Sequence, residues 1–269
     1  MNTKTISTKH TNALHYRIVG EGKALLLVHG FPEDGGLWES VGAELSKQFK
    51  VIIPDIPGSG KSELGIQDIS LETIAECLHE ILEEENIAQV VLVGHSMGGY
   101  AALAFAQKYP EKLAGLSMVH STAMADSEEK KETRRKTIKL IEKGGKKPFV
   151  QQMIPSLFSK EFIEQFPEKI TIQMERGMAL KNESMIAYYK AILARPDRTN
   201  VLSQATFPVQ FILGAEDNLL PIGGMMQQTH LSNVNFVAVF QHCGHMSMLE
   251  QPEKLSQDLK NFAVYCYRS

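Results

Sequence analysis

Short, unbroken apolar runs separated by helical patterns are what most restrict the folds open to this chain of 269 residues. Ala24–Val28 reads ALLLV, and comparable runs follow at 51–53, 90–93, 116–119, 209–213 and 236–240. A strand without polar alternation must be buried on both faces, as in a parallel sheet covered by helices on each side. Leu14–Val19 reads as a further short strand. Between such runs, Leu71, Ile74, Ala75, Leu78 and Leu82 share one helical face, and Ser70 precedes them as an N-cap. The alternation predicts an α/β fold with a doubly wound, mostly parallel sheet.

The alternation stops between Thr122 and Asn200. That stretch predicts helices at 128–143, 148–157, 161–178 and 183–193, punctuated by Gly144, Gly145 and Pro196. It carries 16 basic and 11 acidic side chains, a surplus of five positive charges in a chain whose net charge is −3. We expect a core made of residues 1–121 and 202–269, with a helical cap, or lid, inserted at 122–201. Most of its basic residues read as solvated helix faces.

Bulk properties remove several classes of function. A net charge of −3 argues against nucleic acid as a main partner, because phosphate binding needs a basic face. No apolar run reaches the length of a membrane span. Met1 to Asn12 is polar, unlike a secretory signal. Cys77, Cys243 and Cys266 show no metal-ligand spacing and cannot all pair, so a reducing, cytoplasmic setting is expected.

The chemistry is concentrated at strand ends. Gly94-His95-Ser96-Met97-Gly98 fits G-x-S-x-G, directly after one apolar run and directly before a helical one. So tight a strand–turn–helix forces its central residue into a strained conformation with nearly side-chain-free neighbours, and leaves the serine exposed at the sheet's C-terminal edge. Ser96 is therefore the candidate nucleophile. Its hydroxyl needs a base. His242 and His245 follow the last strand, and Gly244 favours His245. The base needs an acid to fix its tautomer. Asp217 is preferred after the run at 209–213 because its short side chain loses less rotamer freedom than that of Glu216. Glu216 and Asp126 are the reserves. The order Ser96, Asp217, His245 differs from that of the two protease types. Backbone N–H groups must meet the oxyanion, and Met97 and Phe31, the latter in His29-Gly30-Phe31-Pro32, are placed to supply them. The side chain of His29 reads as a packed turn residue. His120, at a strand end, is expected to line the pocket, and His10, His15 and His230 to be exposed.

Five ordered motifs then resemble the α/β-hydrolase superfamily with a helical cap: HGFP at His29, DIPGSGKS at Asp55, GHSMGG at Gly94, GAEDNLLP at Gly214 and CGHMSMLEQPEKL at Cys243. The chain is similar to carboxylesterases, enol-lactonases and cofactor-free haloperoxidase-like members. Haloalkane dehalogenases and epoxide hydrolases differ by their aspartate nucleophile, and dehalogenases by a tryptophan where this chain has Met97. The resemblance supports Ser96, Asp217 and His245 as a triad and Phe31 and Met97 as oxyanion donors. It implies a serine hydrolase acting on a small or medium ester or lactone, with no metal or organic cofactor. Carbon–carbon bond hydrolases share the triad and stay open, as does a small-ligand binding protein on this scaffold. No nucleic-acid or membrane partner is expected, and a homodimer is compatible with the chain. Met124, Met153, Ile154, Leu157 and Phe158 are expected to shape the acyl pocket.

Overall fold

The computed structural model describes residues 2–65 and 69–268. Eight strands form one sheet in the order β1-β2-β4-β3-β5-β6-β7-β8: β1 (Asn2–Ile6), β2 (Leu14–Val19), β3 (Ala24–Val28), β4 (Lys50–Pro54), β5 (Val90–His95), β6 (Leu113–Val119), β7 (Val209–Gly214) and β8 (Asn235–Phe240). From β4 through β8 the pairings are parallel, while β2 pairs antiparallel with both β1 and β4. The apolar runs fall where a sheet covered on both faces needs them, for every residue of β3, β5, β6 and β7 is buried.

The helices are α1 (Glu39–Leu45), α2 (Leu71–Glu84), α3 (Met97–Lys108), α4 (Glu128–Glu142), α5 (Lys146–Met153), α6 (Lys160–Gln165), α7 (Pro167–Ala179), α8 (Asn182–Ala194), α9 (Thr199–Ser203), α10 (Ile222–Met225), α11 (Ser247–Glu250) and α12 (Pro252–Cys266). The Ser70 hydroxyl caps α2 by accepting the Thr73 N–H, and the Ser70 N–H in turn donates to the Thr73 hydroxyl. Between β6 and β7 the described residues form helices and turns only. Among the described residues no helix is long and apolar enough to cross a membrane.

Several expectations need correction. β1 went unread because NTKTI is a polar edge strand with little apolar surface. The helix expected over 161–178 is two helices. Pro167 opens α7 at a position where its missing N–H costs nothing. The helix expected over 148–157 is α5 followed by a 3₁₀ turn, Pro155–Leu157. His15 is buried rather than exposed, its ring bonded to the Thr5 hydroxyl.

Register aligns the strand ends that matter. Val28 lies opposite Gly94, His95 opposite Val119, and Gly214 opposite Phe240. The loops carrying Phe31, Ser96, His120, Asp217 and His245 therefore leave one edge of the sheet together.

Candidate active site

Ser96 sits between β5 and α3 at φ 50°, ψ −117°. Three glycines make that turn possible by their lack of a side chain. A Cβ on Gly94 would come within 2.6 Å of the Gly98 carbonyl, and one on Gly98 within 2.5 Å of the His29 carbonyl. One on Gly99 would overlap the Ser121 side chain. The Ser121 hydroxyl donates to the Ser96 carbonyl at 2.7 Å, and the Ser96 N–H donates to Val119. The strained residue is thus fixed from β6.

His245 Nδ1 lies 2.7 Å from Asp217 Oδ2, with both side chains almost fully buried. Asp217 Oδ1 accepts the Leu219 and Leu220 N–H groups at 2.9 Å each. Burial pushes the Asp217 carboxyl up, but His245 and His120 outweigh it and hold the group far below the carboxylate range. The other imidazole nitrogen, His245 Nε2, is buried without a hydrogen-bond partner among the described residues.

The alternatives lie elsewhere. His242 is exposed, with Glu216 at 3.7 Å. Asp126 is paired with Arg134 and Arg195. His120 does not line a pocket as expected. It is buried, with Nδ1 3.5 Å from Asp217 Oδ2, and burial lowers its basicity.

The loop after β3 packs directly on the elbow, since a Cβ on Gly30 would lie 2.9 Å from Ser96 Cβ. Among the described residues neither the Phe31 nor the Met97 N–H donates to a protein acceptor. His29 Nε2 accepts the Ile56 N–H at 3.1 Å and meets the Ser59 hydroxyl at 2.9 Å. The DIPGSGKS segment therefore buttresses this loop. Asp55 strengthens it by accepting the Gly35 and Lys61 N–H groups and pairing with Arg17.

Three supports of the His245 loop escaped sequence reading. Glu250 accepts N–H bonds from Gly244, Met246 and Ser159. His95 Nε2 lies 3.0 Å from the His245 carbonyl. The His245 N–H donates to the Leu157 carbonyl. Glu250 lies inside a quoted motif, but nothing in the spacing showed that it faces inward.

A cavity of about 800 Å³ opens between α4, α5, α8 and the loops after β6 and β7. Tyr100, one turn past Ser96, lines it, as do Leu219, Leu220, Phe149 and Tyr189. Of the residues expected to shape an acyl pocket, Met124 and Met153 do line it. Ile154, Leu157 and Phe158 are buried in packing instead, because the turn after α5 presses against Gly244.

Among the described residues one set has the donors to hold a metal: His120, Asp217 and His245 offer atoms within 4.8 Å of one another. Sequence spacing hid it because each residue ends a different strand. The set fits a cation poorly, since Asp217 Oδ2 already bonds His245 and Oδ1 already takes two amides.

A strained serine and a buried acid–histidine pair, carried on loops at the same edge of a mostly parallel sheet, define the α/β hydrolase class. The chain belongs to the α/β hydrolase fold family, whose pattern it matches over residues 23–252. It resembles the malate-bound structure of a thermophilic esterase from Thermogutta terrifontis, with 31% identity, 99% of each chain covered and a TM-score of 0.92. It is 28% identical, over 97% of both chains, to a 2-hydroxy-6-oxononadienedioate/2-hydroxy-6-oxononatrienedioate hydrolase of Paraburkholderia phymatum. A stretch of 117 residues is 36% identical to an uncharacterized protein of Mycobacterium tuberculosis, covering 44% of this chain but only 34% of that protein.

Proposed function

We propose that the chain is a serine hydrolase that cleaves small or medium carboxylic esters or lactones through an acyl-enzyme. The observation that carries this reading is the buried 2.7 Å contact between His245 and Asp217, at the sheet edge that also carries a serine held at positive φ. The Ser96 hydroxyl attacks the carbonyl while His245 Nε2 takes its proton. The Phe31 and Met97 N–H groups meet the oxyanion. The tetrahedral adduct then collapses, His245 returns the proton to the departing alkoxide, and the ester bond breaks. Water, deprotonated by the same imidazole, cleaves the acyl–Ser96 bond and restores the enzyme. Residues 122–201 act as the lid that excludes bulk water. Cys77 and Cys243, buried thiols pushed up by burial, suit a reducing, cytoplasmic setting.

The test is turnover of an ester and lactone panel with Ser96→Ala as control. Hydrolysis that survives the substitution would sink the reading. A second reading, carbon–carbon bond hydrolysis of a diketone with the same three residues, is supported by the likeness to the Paraburkholderia hydrolase. Cleavage of a diketone together with poor turnover of 4-nitrophenyl esters would select it.

A further inference from the structure

A second group of charged side chains lies in the wall of the cavity. Asp126 is buried and accepts from Arg134 Nε at 2.5 Å and from Arg195 Nη2 at 2.9 Å. Arg195 is held at both terminal nitrogens. It also donates to the Ile192 and Met124 carbonyls, and its guanidinium lies 4.1 Å from the Tyr100 ring centre. Arg134 is not. Asp126 holds its Nε, and Tyr189 lies beneath its guanidinium at 5.6 Å. Among the described residues its Nη1 and Nη2 have no hydrogen-bond partner, although the side chain is only 18% exposed and lines the cavity.

Charge and shape then decide what the cavity takes. Its wall carries three basic side chains (Lys130, Arg134, Arg195) and two acidic ones (Asp126, Glu129), so one positive charge is uncompensated. A half-buried guanidinium with two unsatisfied amino groups favours an acceptor, and a planar carboxylate matches its fork. The lining also includes apolar side chains, among them Met124, Phe149, Met153 and Leu220. It suits a short methylene chain. The cavity adjoins the loop of Phe31: the Tyr189 ring lies 4.9 Å from that of Phe31, and the preceding residue, Gly30, packs against the elbow.

We propose that Arg134, pre-oriented by Asp126 and Tyr189, is the recognition group for a carboxylate on the substrate. The favoured substrates are then half-esters of short dicarboxylic acids. This rests on reading Ser96 as the nucleophile of acyl transfer. The competing role for Arg134 is purely structural, tying α4 to the loop of Asp126.

The experiment measures kcat and KM for mono-4-nitrophenyl glutarate and for 4-nitrophenyl valerate, its neutral counterpart of equal chain length. The wild type should prefer the glutarate ester. Arg134→Gln should lower kcat/KM for that ester by about 10- to 100-fold, chiefly through KM, as expected for a lost charge-assisted bond. Its effect on the valerate ester should be far smaller, and Arg134→Lys should restore part of the preference. Because Asp126 loses a partner, the double variant Arg134→Gln/Asp126→Asn serves as a second test and should lose the same preference. If both esters fall together, or the ratio does not move, the role is structural and the proposal is overturned. If neither ester turns over and Ser96 resists a fluorophosphonate probe, acyl transfer itself fails. Calorimetry of glutarate with Ser96→Ala then decides the subsite alone. Binding that Arg134→Gln abolishes supports it, and no binding overturns it.

Discussion

The His245 N–H donates to the Leu157 carbonyl at 2.7 Å, so the loop of the proposed base hangs on the helical excursion as well as on the sheet. The lid and the core expected from the sequence meet at this contact. Gly244 lies at the junction. Its φ is ordinary, but a Cβ there would stand 2.7 Å from the Leu157 carbonyl and 2.8 Å from the Phe158 carbonyl carbon. Gly244→Ala should therefore cost about 1–3 kcal/mol of stability and lower kcat in the protein that remains folded. A melting curve with active-site titration separates the two effects, and unchanged kcat would count against the coupling.

Ser96 and His245 should behave as one unit. Alanine at either position should cost nearly as much as at both, on the order of 10⁶ in turnover. Asp217→Asn should slow the reaction by about 10⁴ through the wrong imidazole tautomer, while Glu216→Gln and Asp126→Asn cost far less. A fluorophosphonate probe should label Ser96 alone, and labelling that persists in Ser96→Ala contradicts the assignment.

These residues were legible because their signals are local. The elbow glycines flank Ser96 in the chain, and both Asp217 and the His242/His245 choice follow apolar runs directly. What was hidden depends on contacts between distant segments. Asp126 reads as a possible acid until Arg195, 69 residues away, is seen to hold it. Glu250 organises the His245 loop through amides on two segments, and no periodicity encodes that. His15 looked like a surface residue because its strand is short and mixed, yet it lies between β1 and the Ser62 loop. Pro167 is itself a local signal for the break between α6 and α7.

Cations should act as inhibitors. A metal ion entering the set of His120, Asp217 and His245 would have to displace the 2.7 Å contact that orients the proposed base. Dialysis against a strong chelator should leave ester hydrolysis unchanged, and added zinc should slow it. Loss on chelation that zinc or manganese restores would overturn the mechanism.

Pocket substitutions should reorder substrates. Met153 and Phe149 line the cavity, and one methylene of fit is worth about 1–3 kcal/mol. Met153→Ala and Phe149→Ala should shift the preferred acyl length while Ser96 still reacts with a small probe. Phe158→Ala, buried against Phe162, should instead destabilise the fold by about 3–5 kcal/mol. An acyl-length series with parallel melting curves decides it. An unmoved profile in both pocket variants would place the acyl group elsewhere.

Glu33 makes stability depend on pH in a way opposite to an ordinary paired carboxylate. It follows Pro32 in the loop of the proposed oxyanion donor, and neither carboxyl oxygen has a hydrogen-bond partner among the described residues. Burial pushes its pKa up to about 8, with Asp34 adding to the rise and Arg176 only partly opposing it. Between the ordinary value of 4.5 and about 8 the folded chain keeps this proton and the unfolded chain releases it. The unfolded state thus binds fewer protons, and stability falls as pH rises through that window. Burial lowers the basicity of His15, His29, His95 and His120, so these groups act below their ordinary range and with the opposite slope. The difference between two variants isolates Glu33. Glu33→Gln, equal in shape and unable to ionise, should melt close to the wild type near pH 5. Near pH 8 it should melt on the order of 5 °C or more above it. Melting temperatures of both proteins across that range are the measurement. A constant gap would mean that Glu33 is ionised throughout and has a partner in solution.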